Sequence, residues 1–198
     1  MALGLALGGS YNMHTGSVLQ KTGTGAGFVA GGQIDLSFTK SLALLTTFYG
    51  YDNRIGQYTR TETQAGIDYS FDFSVTVAYA GVEPLLKITM PDNRFYVTAG
   101  PSVGFKVDGK SDVTTTITTP GYSFSNGYSS QTTSSALTDI NTRFELHFGL
   151  GYVLVIDGQS RLATQLSFAY GLNNVQKNVD WRINSIRLIA GLEFDVFR

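Results

Sequence analysis

The chain has 198 residues, a formal net charge of −1 and no cysteine. This length predicts a single domain, residues 1–198. A nearly neutral chain lacks the excess of positive charge that attracts nucleic acid. Without cysteine there is no disulfide scaffold and no thiolate chemistry. Charged residues make up 15%, against about 25% in soluble domains, and no stretch reaches the ~20 apolar residues of a transmembrane helix.

The N-terminus begins with alternation rather than with an export signal. Leu3, Leu5 and Leu7 alternate with small residues, which predicts a β-strand. A secretory signal would need a basic start and a longer apolar run. We therefore expect the sequence to be that of the mature chain.

Period-two alternation recurs along the whole chain and predicts eight strands. Their approximate ranges are 2–11, 26–38, 42–51, 67–88, 94–107, 139–156, 161–172 and 183–197. The pattern is clearest in the sixth strand, where Phe144 and Leu146 share one face and Arg143 and Glu145 share the other. Large hydrophobic residues opposite charges over about ten residues are typical of a transmembrane antiparallel β-barrel, with lipid outside and polar groups inside.

The connections between the predicted strands alternate in length. The short ones are 39–41, 89–93 and 157–160, and the longer ones are 12–25, 52–66, 108–138 and 173–182. This rhythm predicts an up-and-down barrel with short periplasmic turns and long extracellular loops. The loop 108–138 is rich in Ser and Thr, so it buries little apolar area and we expect it to be mobile.

The fourth predicted strand contains a change of parity. Its apolar residues are odd-numbered up to Tyr79 and even-numbered from Val82. One extra residue near 81–84 would invert the faces, which predicts a β-bulge at which Pro84 is tolerated. The strand also exceeds the ~10 residues of one crossing, so its first half should stand above the membrane, paired with an extension of the third strand.

Polar and charged residues share the predicted inner face. Side chains fill the interior of an eight-stranded barrel and buried charges must pair, so we expect a structural network in the lumen. Its predicted members are Gln33, Asp35, Lys106, Arg143, Glu145, His147, Arg187 and Glu193. Residues 143–147 also suggest a hydrolase constellation, but a filled lumen favours the structural interpretation, with no catalytic residue. With only two histidines, His14 and His147, we predict no metal and no cofactor.

Aromatic residues lie near both ends of the predicted strands. Such positions are typical of the girdles that a barrel places at the two membrane interfaces. The outer girdle is predicted at Phe48, Phe168 and Trp181, and the periplasmic one at Phe38, Phe95, Tyr152, Phe194 and Phe197.

Five segments, in order along the chain, carry a family resemblance: 27–32 (GFVAGG), 42–45 (LALL), 82–87 (VEPLLK), 94–104 (RFYVTAGPSVG) and 170–174 (YGLNN). They resemble the PorT-like outer-membrane β-barrel family of Bacteroidetes-type bacteria. The resemblance implies an eight-stranded barrel of OmpX/OmpA type in a Gram-negative outer membrane, in contact with lipid and lipopolysaccharide. PorT itself is associated with type IX secretion, so other outer-membrane or secretion-complex proteins are candidate partners.

These inferences predict a non-enzymatic outer-membrane protein. Its role would be structural or adhesive through the loops, or that of an accessory subunit in an envelope complex. The alternatives are an outer-membrane enzyme acting on lipid A or peptides, a small channel, and a soluble barrel of lipocalin type, which would need an apolar interior.

Overall fold

The computed structural model describes residues 1–17, 22–91 and 94–196, and its regular elements are nine strands. They are β1 (Ala2–Thr15), β2 (Gly23–Ser37), β3 (Leu42–Gln64), β4 (Ile67–Thr89), β5 (Phe95–Ile117), β6 (Ser130–Ala136), β7 (Arg143–Val155), β8 (Ser160–Gly171) and β9 (Arg182–Asp195). Those described ranges contain no helix that is long and apolar enough to cross a membrane.

Eight of the strands close into a ring. The order around the ring is β1, β2, β3, β4, β5, β7, β8 and β9, every neighbouring pair is antiparallel, and β9 returns to β1. The predicted eight-stranded up-and-down barrel is therefore confirmed. β6 pairs with β5 over Lys110↔Ala136 to Thr116↔Ser130 and lies outside the ring.

The two faces of the barrel wall differ in exposure. Leu5, Leu150 and Leu188 point outward and are 69%, 65% and 61% exposed. On β7 the alternate residues Glu145 and His147 are 1% and 0% exposed. Apolar side chains outside and charged side chains inside match a wall that has lipid on one side and a packed polar lumen on the other.

Three strands continue far beyond the barrel. β3, β4 and β5 have 23 residues each, about twice one membrane crossing. Their outer halves and β6 form a four-stranded sheet, here called the outer sheet (53–64, 67–78, 108–117 and 130–136). The predicted pairing of the first half of β4 with an extension of β3 is confirmed.

Two segments predicted as loops are largely strand. The segment 52–66 belongs to β3 up to Gln64, and only Ala65 and Gly66, with φ of 50° and 78°, make the turn. The segment 108–138 contains the end of β5 and all of β6, so the expectation of a mobile loop is wrong for those strands. Both strands are rich in Thr and Ser, and the backbone hydrogen bonds between them hold residues that bury little apolar area.

The prediction of a bulge in β4 is also wrong. Val77, Tyr79, Glu83 and Lys87 are all buried, so odd residues face inward along the strand, and Pro84 pairs in regular register with Thr46. Each neighbouring strand instead carries one extra residue, at 50–51 of β3 and at 107 of β5. The apolar residues of β4 switch from odd to even positions because the inward face is apolar above the membrane, whereas the outward face is apolar within it.

Candidate functional site

The upper half of the lumen is held by carboxylates shared between arginines. Asp52 Oδ2 accepts hydrogen bonds from Arg54 Nη2 and Arg143 Nη2, both at 2.7 Å. Glu145 Oε2 lies 3.3 Å from Arg143 Nε and 3.6 Å from Arg54 Nη2. These four residues are 5% exposed or less, so strands β3 and β7 are joined across the lumen by desolvated ion pairs.

His147 of β7 extends this network towards β9 and β4. Its Nε2 lies 3.1 Å from Glu145 Oε2, and its Nδ1 lies 3.1 Å from Arg187 Nη1. Because a guanidinium can only donate, Nδ1 accepts and the ring proton lies on Nε2, pointing at Glu145. Arg187 also donates to Glu83 of β4. Three carboxylates therefore face three guanidinium groups in this upper network, which balances their formal charges.

A second network, the lower network, lies nearer the short turns. Asp35 Oδ2 accepts from Lys87 Nζ at 2.6 Å and from Arg161 Nη2 at 3.2 Å. Arg161 also pairs with Glu193, which accepts a hydrogen bond from Gln33. The upper and lower networks together connect strands on all sides of the barrel.

Seven of the eight residues predicted for the lumen network are buried inside the barrel. They are Gln33, Asp35, Arg143, Glu145, His147, Arg187 and Glu193. Lys106 is a correction: it is exposed, and its Nζ donates to the carbonyl oxygen of Leu137 at 2.6 Å. Lys106 pairs in register with the inward-facing Tyr79, but it lies two residues beyond Gly104, where the pairing of β5 with β7 ends, so its side chain is open to solvent at the mouth of the barrel.

Sequence reasoning missed several members of the two networks. They are Asp52, Arg54, Glu83, Lys87 and Arg161. Asp52 and Arg54 follow the bulge in β3 and were assigned to a loop. Glu83 and Lys87 share odd parity with the buried Tyr79, which is a signal that the assumed bulge in β4 concealed.

An apolar cap closes the outer mouth above the upper network. Trp181, Val175 and Ile183 cluster with Val77 and Tyr79 of β4. Trp181 is a second correction, because at 5% exposure it lies inside and not in the outer aromatic girdle. It precedes β9, whose odd residues face inward, and it follows the same parity.

The other girdle aromatics lie on the barrel's outer surface. Phe48, Phe168, Phe38, Phe95 and Phe194 are 40–63% exposed. Tyr152 is half-buried and packs edge-on against Phe95, with 4.8 Å between the ring centroids. The predicted girdle residue Phe197 lies outside the described residues.

The outer sheet has one aromatic and one hydroxyl-rich face. Tyr58 stacks on Phe73 with 4.5 Å between centroids, and Phe71 continues the row. On the opposite face Thr59 donates to Asp72 at 2.6 Å. The pKa of Asp112 on that face lies below its usual value, mainly because Ser134 donates to its carboxylate.

Strand β6 forms one edge of the outer sheet, and its seven residues are all exposed. Its sequence, Ser-Gln-Thr-Thr-Ser-Ser-Ala, carries no charge and no proline. Lysine, proline and bulges are the usual protection of such edges. The opposite edge, on β3, carries Arg60 paired with Glu62.

Comparison with known proteins finds similar solved structures and a matching family. Similar solved structures include Ail, the attachment invasion locus protein of Yersinia pestis (12% identity, TM-score 0.44, 98% of each chain covered), Neisserial surface protein A (10%, 0.35, 98% of each) and Acinetobacter baumannii CarO2 (12%, 0.36, 97% of this chain and 99% of that one). No curated protein matches the sequence. The profile of the outer membrane protein beta-barrel domain family matches residues 1–177. The chain therefore belongs to this family of bacterial outer-membrane β-barrel proteins.

Proposed function

We propose that this protein is a closed, non-enzymatic barrel that acts as an adhesive scaffold through its outer sheet. The proposal rests on β6, which lies at the open edge of the outer sheet. This strand is uncharged and all its residues are exposed, and the sheet is built on a rigid barrel. Such an edge binds an extended segment of another protein by adding it as a further strand.

The buried networks argue against catalysis and against a channel. Glu145, His147 and Arg187 have the residue types of a hydrolytic site, yet they are 0–1% exposed beneath the cap. A substrate such as lipid A or a peptide has no access to them. Ion pairs from β3 to β7 and from β4 to β9 also cross the space that a conducting pore would need.

The charge of the outer sheet favours a protein partner. Ail of Yersinia pestis has been solved in complex with the heparin analogue sucrose octasulfate. In this chain the hydroxyl-rich face carries Asp68, Asp72 and Asp112 against Lys110. We therefore expect a sulfated polyanion to be repelled and a neutral or basic extended segment to be accepted.

We also propose that the barrel is PorT-like and contacts lipopolysaccharide around its outer girdle. The order of segments such as 82–87 and 94–104 supports this kinship. Partners in a secretion-type envelope complex would then reach the protein within the membrane. Purification from the native membrane in mild detergent, followed by identification of the proteins that accompany it, tests this role separately from adhesion.

Adhesion is tested on whole cells of a non-adherent strain that displays the protein. Adherence to cultured epithelial monolayers is compared for the wild type, Thr132→Lys on β6, and Ser70→Lys, which places the same charge on the same sheet face away from the edge. We expect Thr132→Lys to reduce adherence several-fold and Ser70→Lys to leave it unchanged. Equal adherence of all three, or none above the empty strain, would overturn the proposal.

A further inference from the structure

The periplasmic end of the lumen contains a polar cavity of about 190 Å³, here called the lower vestibule. Its polar lining comprises Asp35, Ser37, Thr39, Lys40, Lys87, Thr89 and Arg161. At about 30 Å³ for each water molecule of the liquid, the volume equals about six waters. That is enough for one small residue but not for a folded partner.

One carboxylate oxygen of Asp35, a residue that lines the lower vestibule, has no hydrogen-bond partner among the described residues. Asp35 is 2% exposed, and Lys87 and Arg161 both donate to its Oδ2. Its Oδ1 is buried and accepts no hydrogen bond from any described residue. A buried acceptor without a donor is costly, so a ligand that brings an N–H or O–H group to this point gains a strong, charge-assisted hydrogen bond.

The remaining charge of the lining is positive. Three cations, Lys40, Lys87 and Arg161, face one carboxylate, Asp35. Arg161 is also engaged by Glu193 and Asp195. Lys40, in contrast, is exposed and has no carboxylate within ion-pair distance in the described part of the chain. The site therefore offers an acceptor deep inside and an unpaired cation at the rim, which suits a small anion that also carries a donor.

We propose that the lower vestibule binds the free carboxylate end of a short peptide. The last residue of a peptide carries a carboxylate for Lys40 and, on the adjacent atoms, an amide N–H for Asp35 Oδ1. The cavity is lined at one short turn by residues of the segment 37–42 and beside the next by Thr89, and the short turns of such barrels face the periplasm. Soluble peptides and the peptide stems of the cell wall share this chemistry, and both occur in that compartment.

The test uses the full chain, refolded in detergent micelles, with N-acetyl-L-Ala-L-Ala, N-acetyl-D-Ala-D-Ala and the C-terminal amide of each. Binding is followed by NMR at the backbone amides of residues 39–43. We expect both free acids to shift these signals and the amides to bind at least ten-fold more weakly. Preference for the D-peptide assigns the site to cell-wall stems, and equal binding assigns it to soluble peptides.

Two variants link the binding to the named groups. Lys40→Gln removes an exposed charge and leaves the buried ion pairs intact, and we expect it to weaken acid binding several-fold. Lys110→Gln, at the opposite end of the molecule, is the matched control and should change nothing. Acid and amide binding equally, no shift at millimolar peptide, or an unaffected Lys40→Gln would each overturn the proposal. None of these results depends on adhesion by the outer sheet.

Discussion

Trp181 Nε1 donates a hydrogen bond to His14 Nδ1 at 3.1 Å, and the two rings lie 5.7 Å apart. This contact ties the cap to β1 on the wall. Because an indole N–H can only donate, Nδ1 of His14 must accept. The cap is therefore fixed by a directional bond as well as by apolar packing.

Shortening Trp181 should loosen the cap. Trp181→Ala removes a buried aromatic side chain, for which we expect a loss of about 3–5 kcal/mol in the free energy of unfolding. Trp181→Phe is the matched control, because it keeps most of the packing but loses the bond to His14, which costs about 1 kcal/mol. Both are measured by urea unfolding in lipid vesicles. Equal losses for the two variants would show that the packing of Trp181 contributes nothing.

Breaking an ion pair in the lumen should cost far more than breaking one on the outer sheet. Glu83→Gln leaves Arg187, which is 0% exposed, without its carboxylate, and we expect a loss of about 3–5 kcal/mol. Asp112→Asn removes the partner of the exposed Lys110 and should leave the free energy of unfolding nearly unchanged, because exposed ion pairs contribute little. The comparison is made by urea unfolding in lipid vesicles. A small loss for Glu83→Gln would mean that water, not Glu83, solvates Arg187.

The sequence was informative wherever one face of a strand met lipid. On β7 and β9 most outward residues are apolar and most inward residues are small or polar, apart from the inward Val153, Ile183 and Ile189. The strands and their inward direction therefore followed from the alternation. Above the membrane this contrast disappears. Residues 59–64, Thr-Arg-Thr-Glu-Thr-Gln, are polar on both faces, and nothing in their pattern separates a strand from a loop.

The pairing of buried charges could not be predicted for a different reason. Arg54 and Asp52 reach the lumen only because β3 carries one extra residue at 50–51, which moves its inward-facing positions from odd to even numbers. A bulge leaves no fixed signature in one sequence. Lys106 was assigned to the lumen because it has the inward parity of β5, and it pairs with the inward-facing Tyr79; the sequence does not show that the pairing of β5 with β7 already ends at Gly104.

Gly151 should be intolerant of a side chain. A Cβ added there would lie 2.0 Å from Cζ of Tyr96, its cross-strand partner. We expect Gly151→Ala to displace Tyr96, which also donates to the carbonyl of Thr164, and to cost about 1–3 kcal/mol through overpacking. Gly50→Ala is the control, because no atom lies within 4 Å of its added Cβ. Folding yield and urea midpoints compare the two, and equal stability would contradict the argument.

The turn before β8 should show a pH dependence that Asp157 controls. Asp157 Oδ1 accepts the backbone N–H groups of Gln159 at 2.8 Å and Ser160 at 2.7 Å. These bonds, that of Gln159 foremost, lower the pKa of Asp157 below its usual value. Because folding favours the charged form, the stabilisation is present above the unfolded pKa and is lost as the pH falls through the folded one.

Asp157→Asn therefore serves as the comparison for this turn. At neutral pH the wild type should be more stable than Asp157→Asn in urea, and the difference should shrink as the pH falls through the folded pKa of Asp157, measured by NMR titration of its carboxyl carbon. The contribution is local, so Gln159→Ala, which keeps the backbone N–H groups, should retain the wild-type pH profile. A stability difference that stays constant from pH 7 to about pH 3, below the reference pKa of about 3.9, would contradict this account.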